Sequence, residues 1–346
     1  MAAKWSFLAE GDKGLNAALA DLLPVAGIGA EGISEEERSA RLQDVRTKGK
    51  GLTHATYEAD IKDMWIQEEK ALPRLRGDGE PIRVLIHRPV SGKTDLPLVI
   101  WAHGGGLNIM DCMDNYGSTL LKGVAGEGGQ ECCWVSVDYR LCPEVQFPAP
   151  VDDLISVYHS VMEPSMAETY GYSPAKVGLA GVSAGGFLVA HAAIALAADG
   201  KAPAFLASLY PMVDPHMSTK SWKLYGDLPI CPEPWLRQTW KWSLAGPGEA
   251  AKPSEERMKE ASLLHAAWSA PSMKGLRTLI ALGRFDPLHD EGMQLGECLA
   301  KAGLQTEVVV GECSHTTAAM FDPAATQKVM DWWRQTLSLQ NFASHL

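Results

Sequence analysis

Gly181-Val182-Ser183-Ala184-Gly185 places a serine in a G-x-S-x-G pattern, between the apolar run KVGLA and the helix-forming run FLVAHAAIALAA. A serine on such a strand-to-helix turn adopts strained backbone angles, which demand small neighbours, and its hydroxyl is lifted above the sheet at a helix N-terminus that favours negative charge. A serine hydroxyl is a weak nucleophile until a base takes its proton, and the base needs a carboxylate to orient it. Among the ten histidines, His315 is the candidate base, because it lies in GECSHTT, just past the run TEVVV and before a final helical stretch. Asp286, in Gly283-Arg284-Phe285-Asp286-Pro287 after RTLIAL, is the candidate acid, with Asp214, beyond the strand ending at Tyr210, as the alternative. His103-Gly104-Gly105-Gly106 follows PLVIWA, and a glycine run at that place leaves backbone N–H groups bare. With the N–H of Ala184, those of Gly104 and Gly105 would receive a developing oxyanion. Together these residues could carry acyl transfer through a covalent serine intermediate.

Short apolar runs alternate with longer helical patterns, which predicts a mostly parallel sheet with helices on both faces. Strands are expected at 82–87, 97–102, 134–137, 176–182, 205–210, 277–282 and 306–310, and helices around 118–125, 150–162, 184–198, 291–302 and 323–337. Asp286 and His315 then sit at carboxyl ends of strands, where open α/β sheets bind ligands. Two segments break the alternation. Residues 1–50 read as helical and polar. Residues 214–274, rich in Pro and Trp, read as several short helices and turns inserted into a core made of 51–213 and 275–346. Trp222, Tyr225, Trp235 and Trp240 of the insertion, with Leu107 after the glycine run, are candidate walls of an apolar substrate pocket.

The chain has 346 residues, 46% hydrophobic and 21% charged, which excludes disorder, collagen-like repeats and a disulfide mini-scaffold. A formal net charge of −11 disfavours nucleic acid and anionic lipid surfaces as partners. No segment has signal-peptide character or the length to span a bilayer. The seven cysteines lack CxxC spacing and read as thiols in a reducing compartment, so the expected location is the cytoplasm. No His/Cys/Asp cluster has ligand spacing, so no metal or organic cofactor is implied. The final Ser344-His345-Leu346 is a conservative variant of the peroxisomal Ser-Lys-Leu address, which makes import into peroxisomes an alternative destination.

The order Ser183, Asp286, His315 is that of α/β-hydrolases. From about Ile82 to the final helix the sequence resembles the hormone-sensitive-lipase-like branch of α/β-hydrolase carboxylesterases. HGGG at 103–106, DYRLCPE at 138–144, FPAPVDD at 147–153, GVSAGG at 181–186, LYPMVD at 209–214 and DPLHDEG at 286–292 occur in the order of that family. The resemblance implies an eight-stranded hydrolase sheet, a helical cap formed by the N-terminal segment and the insertion, and Ser183, His315 and Asp286 as nucleophile, base and acid. It makes Asp138, Arg140 and Glu144 scaffold ion pairs and a homodimer an expectation. The chain departs from the family at Val182, at Leu107-Asn108-Ile109 and at Thr316-Thr317. The function expected is hydrolysis of a small-to-medium hydrophobic ester or lactone, such as a secondary-metabolite ester. The rival readings are a lyase, dehydratase or cyclase on the same scaffold, with His315 as base and no acyl-enzyme, and a catalytically silent small-molecule receptor.

Overall fold

Leu98 and Ile100 pack to one side of the strand Leu96–Ala102, while Val99 and Trp101 pack to the other. Side chains on a strand alternate between faces, so a run that is apolar at every position must be covered on both. The computed structural model of the chain describes residues 13, 25–61, 65–75, 79–125, 129–248, 250–315 and 322–339. In it that strand is the third of eight, β1 Trp65–Leu72, β2 Ile82–Pro89, β3 Leu96–Ala102, β4 Cys133–Val137, β5 Tyr172–Val182, β6 Phe205–Leu209, β7 Arg277–Gly283 and β8 Gln305–Gly311. They form one sheet in the order β1-β2-β4-β3-β5-β6-β7-β8. β2 is antiparallel to both its neighbours, and every pair from β4 to β8 is parallel. The expected mostly parallel eight-stranded sheet is present.

The helices are α1 Glu35–Ile61, α2 Asn115–Ala125, α3 Ala149–Val161, α4 Pro164–Tyr170, α5 Ala184–Ala198, α6 Lys220–Tyr225, α7 Glu233–Ala245, α8 Glu255–Ala261, α9 His289–Lys301 and α10 Pro323–Leu337. Leu154, Phe187, Leu188, Leu295 and Leu299 bring α3, α5 and α9 to the face of Leu98 and Ile100. Leu120, Leu121, Val329, Trp332 and Trp333 bring α2 and α10 to the opposite face. Trp222, Trp235, Trp240, Trp242 and Trp268 belong to the same apolar cluster as Leu98, so the 214–274 segment shares the core of the sheet.

Three features were not read from the sequence. The boundary at residue 50 falls inside α1, which continues to Ile61. β1 was not anticipated, because as an edge strand it buries only its ends and exposes Ile66 and the polar run Gln67-Glu68-Glu69. α4 was not anticipated either. Among the described residues no helix is long and apolar enough to cross a membrane. No disulfide joins any of the seven cysteines. Ser344-His345-Leu346 and Thr316-Thr317 lie outside the described residues.

Candidate active site

Ser183 stands between β5 and α5 with φ 53° and ψ −116°, a left-handed backbone that an L-residue holds only under constraint. The constraint comes from its neighbours. A Cβ on Gly181 would lie 2.5 Å from the carbonyl carbon of Gly185, and one on Gly185 would lie 2.0 Å from the Ala102 carbonyl oxygen. Both glycines are therefore obligatory, and Gly185 seats the turn on the end of β3, where His103 begins the glycine run. The Ser183 N–H donates to Leu209 O at 2.9 Å, and its carbonyl accepts from Met212 N at 3.1 Å, which ties the turn to β6 and the loop beyond it.

The His315 imidazole reaches the Ser183 hydroxyl from the loop that follows β8. His315 Nε2 is 3.0 Å from Ser183 Oγ, and Nδ1 is 2.8 Å from Asp286 Oδ2. A carboxylate can only accept, so Nδ1 carries the proton and Nε2 presents its lone pair to the serine. The other Asp286 oxygen accepts the Leu288 N–H at 2.8 Å, which fixes the carboxylate plane. All three side chains are buried, Asp286 completely. Asp214, the alternative acid, instead accepts from His216 Nδ1 at 2.7 Å and is not joined to His315.

The glycine run is held by its carbonyls. The Tyr139 hydroxyl donates to His103 O at 2.8 Å, and the His103 Nδ1–H donates to Gly104 O at 2.9 Å, so burial leaves this imidazole neutral, its pKa pushed down to about 4. The ring of Tyr139 stacks on that imidazole with centroids 4.1 Å apart. Gly105 O accepts the N–H groups of Asn108 and Ile109 at 3.1 and 3.0 Å. A peptide N–H points opposite to the carbonyl it is bonded to, so pinning these carbonyls turns the N–H groups of Gly104, Gly105 and Gly106 the other way. Gly104 is beside Ser183, since a Cβ on it would lie 3.5 Å from Ser183 Cβ. Gly105 (φ 90°) and Gly106 (φ 57°) have left-handed backbones, and a Cβ on Gly106 would meet the Trp235 ring at 2.6 Å.

The pocket candidates have different places. Trp235 covers Gly106. Leu107 is buried with φ 61° and its carbonyl accepts from Cys142 N at 2.8 Å. Trp240 meets Phe187 of α5 edge-on at 5.2 Å. Tyr225 meets Phe285, next to Asp286, edge-on at 6.0 Å. Trp222 is buried with its indole N–H donated to Glu291 at 2.7 Å, so its polar end is fixed to α9. Sequence reasoning missed Gly106, although it belongs to the quoted glycine run. It also missed Tyr210, whose ring meets the His315 imidazole edge-on at 5.1 Å, and Asn108. Asp138, Arg140 and Glu144 are each in an ion pair, with Arg83 at 3.5 Å, Asp153 at 2.9 Å and Arg46 at 2.5 Å. Among the described residues no group of three His, Cys, Asp or Glu side chains could hold a metal ion.

A family profile described as alpha/beta hydrolase fold matches residues 99–318. The chain is 29% identical over 293 residues to carboxylesterase NlhH of Mycobacterium tuberculosis, a match covering 84% of this chain and 83% of that protein. It is 26% identical to an ethyl acetate hydrolase of Pseudomonas putida, over 77% of this chain and 84% of that one. Among solved structures, a bacterial heroin esterase superposes with a TM-score of 0.72 at 25% identity, over 93% of this chain and 100% of its own.

Proposed function

The chain belongs to the alpha/beta hydrolase family, in its hormone-sensitive-lipase-like branch, and is a carboxylic ester hydrolase; we propose that it cleaves small-to-medium hydrophobic esters or lactones through an acyl-enzyme on Ser183. The observation that carries this reading is the hydrogen-bonded series Asp286–His315–Ser183 beside a glycine run whose N–H groups face away from their pinned carbonyls. His315 Nε2 takes the serine proton as Oγ attacks the ester carbonyl. The negative charge that develops on the carbonyl oxygen is met by N–H groups of Gly104, Gly105 and Ala184, with that of Gly106 also within the run. Collapse of the tetrahedral intermediate breaks the bond to the alcohol, which leaves with the proton held on His315. A water molecule then gives its proton to Nε2, attacks the acyl carbon and releases the acid, restoring the serine. Asp286 keeps the imidazole in the reactive tautomer and stabilises the imidazolium.

Burial of the three side chains, with the Trp235 ring of the 214–274 segment over Gly106, favours apolar acyl or alcohol groups over charged ones. The test is labelling with a fluorophosphonate followed by mass spectrometry, together with turnover on an ester and lactone panel. Labelling at Ser183 and turnover lowered by about 10⁴-fold or more in Ser183→Ala are the expected results. Wild-type turnover in that variant, or a sharp optimum at acyl chains of about sixteen carbons or more, would overturn the assignment of nucleophile or of substrate size respectively. Product analysis separates hydrolysis from elimination or cyclisation on the same groups.

A further inference from the structure

Asn108 is completely buried in the loop that follows the glycine run, and its polar groups bind three separate parts of the chain. Its backbone N–H donates to Gly105 O at 3.1 Å, inside the loop. Its backbone carbonyl accepts the Arg46 Nε–H of α1 at 2.7 Å, and the same guanidinium is held by Glu144 and the Cys142 carbonyl. Its side-chain Oδ1 accepts the Trp235 indole N–H at 3.2 Å, and its Nδ2 donates to the buried Thr239 hydroxyl at 2.7 Å. Trp235 and Thr239 are four residues apart on α7 and so share one face of that helix. The Trp235 ring also closes over Gly106. α7 therefore reaches the glycine run through the indole ring and the loop just beyond it through the Asn108 amide.

Between these two contacts lies Leu107, which holds a left-handed backbone without the freedom of glycine, and Met110 beyond does the same at φ 72°. Such angles persist only where the surroundings impose them. The surroundings here are α1 and α7. We propose that Asn108 is a positioning residue, through which Trp235 and Thr239 of α7 hold the N–H groups of the glycine run at the place where the oxyanion forms. The inference rests on the acyl-transfer reading of Ser183. It adds that the geometry of charge stabilisation is set from outside the sheet, by the inserted segment.

The test uses Thr239→Val, which removes only the hydroxyl, Trp235→Phe, which keeps a ring over Gly106, and Thr239→Ser, which restores the hydroxyl. Rates are expressed per active site titrated with a fluorophosphonate, so that misfolded molecules do not count. The expected result is a fall in kcat of about 10–100-fold in Thr239→Val and Trp235→Phe with KM changed by no more than about threefold, because a misplaced donor weakens the transition state more than the ground state. Inhibition by a trifluoromethyl ketone, which forms a tetrahedral adduct on Ser183, weakens by the same factor. Thr239→Ser recovers turnover to within about threefold of the wild type. Unchanged kcat per titrated site in both variants, or a loss confined to KM, overturns the positioning role alone. Absence of labelling at Ser183 in the wild-type protein overturns the acyl-transfer reading and the positioning role with it.

Discussion

Gly283 and Ser314 approach so closely that a Cβ on the glycine would lie 2.5 Å from the Ser314 carbonyl oxygen. Gly283 ends β7 and Ser314 lies in the loop just beyond the parallel neighbour β8, and the contact continues as Arg284 N to Gly311 O at 2.8 Å and Phe285 N to Cys313 O at 3.0 Å. This convergence brings the Asp286 loop against the His315 loop. Gly283→Ala must push the two loops apart, at a cost of roughly 1–3 kcal/mol as in other overpacked interiors. The expected outcome is a lowered melting temperature and a kcat reduced by about tenfold or more, read by calorimetry and aryl-ester turnover.

The two candidate acids are separated by mutation. Asp286→Asn leaves the His315 ring with a partner that can present the wrong hydrogen-bonding group, and turnover should fall by about 10³–10⁴-fold. Asp214→Asn, which touches His216 and not His315, should stay within about threefold of the wild type. A reversal of these two results would reassign the acid.

His87 is buried in β2 beside the Tyr57 hydroxyl, and burial pushes its pKa down to about 4 from the usual 6.5. The unfolded chain takes up a proton on this ring near pH 6.5, whereas the folded chain does so only near pH 4. The stability that His87 contributes is therefore complete above about 6.5 and lost as the pH falls to 4, on the order of 3 kcal/mol. His87→Gln still accepts from Tyr57 but cannot titrate. Urea denaturation from pH 7 to 4.5 should show the variant losing stability less steeply than the wild type, and parallel slopes would count against a neutral buried His87.

Glu291 presents the opposite sign. It is buried on α9 beneath Trp222, and desolvation raises its carboxyl well above the ordinary range. The unfolded chain ionises it first, so folding is disfavoured by this group as pH rises above its ordinary value. Glu291→Gln keeps an acceptor for the Trp222 indole without the charge. Its stability relative to the wild type should increase from pH 5 to pH 8. Trp222→Phe removes the indole donor and should lower stability by about 1–3 kcal/mol.

The inner strands of the sheet were legible because they are buried on both faces, and unbroken runs such as PLVIWA are visible without knowledge of partners. β1 was not, because Trp65, Ala71 and Leu72 are too sparse to stand out from a charged edge. Ser183, His315 and Asp286 could be read as a set because each directly follows an apolar strand. The choice between Asp286 and Asp214 could not be closed in one dimension, since both follow strands and only the fold assigns His216 to one and His315 to the other. The links made by Asn108 were invisible for a similar reason. Those to Trp235 and Thr239 join residues more than a hundred positions apart, and a buried amide leaves no periodic mark.

The charged rim of β1 bears on behaviour at high concentration. An open strand edge is a template on which a second molecule can extend the sheet, and carboxylates and lysines along it discourage that addition. Glu68, Glu69 and Lys70 lie on this strand, with Lys70 Nζ 3.6 Å from Glu68 and Glu69 paired to Arg83 of β2 at 2.9 Å. Replacing Glu68 and Glu69 with Val would leave Ser183, His315 and Asp286 untouched and yet should increase light scattering at high concentration relative to the wild type.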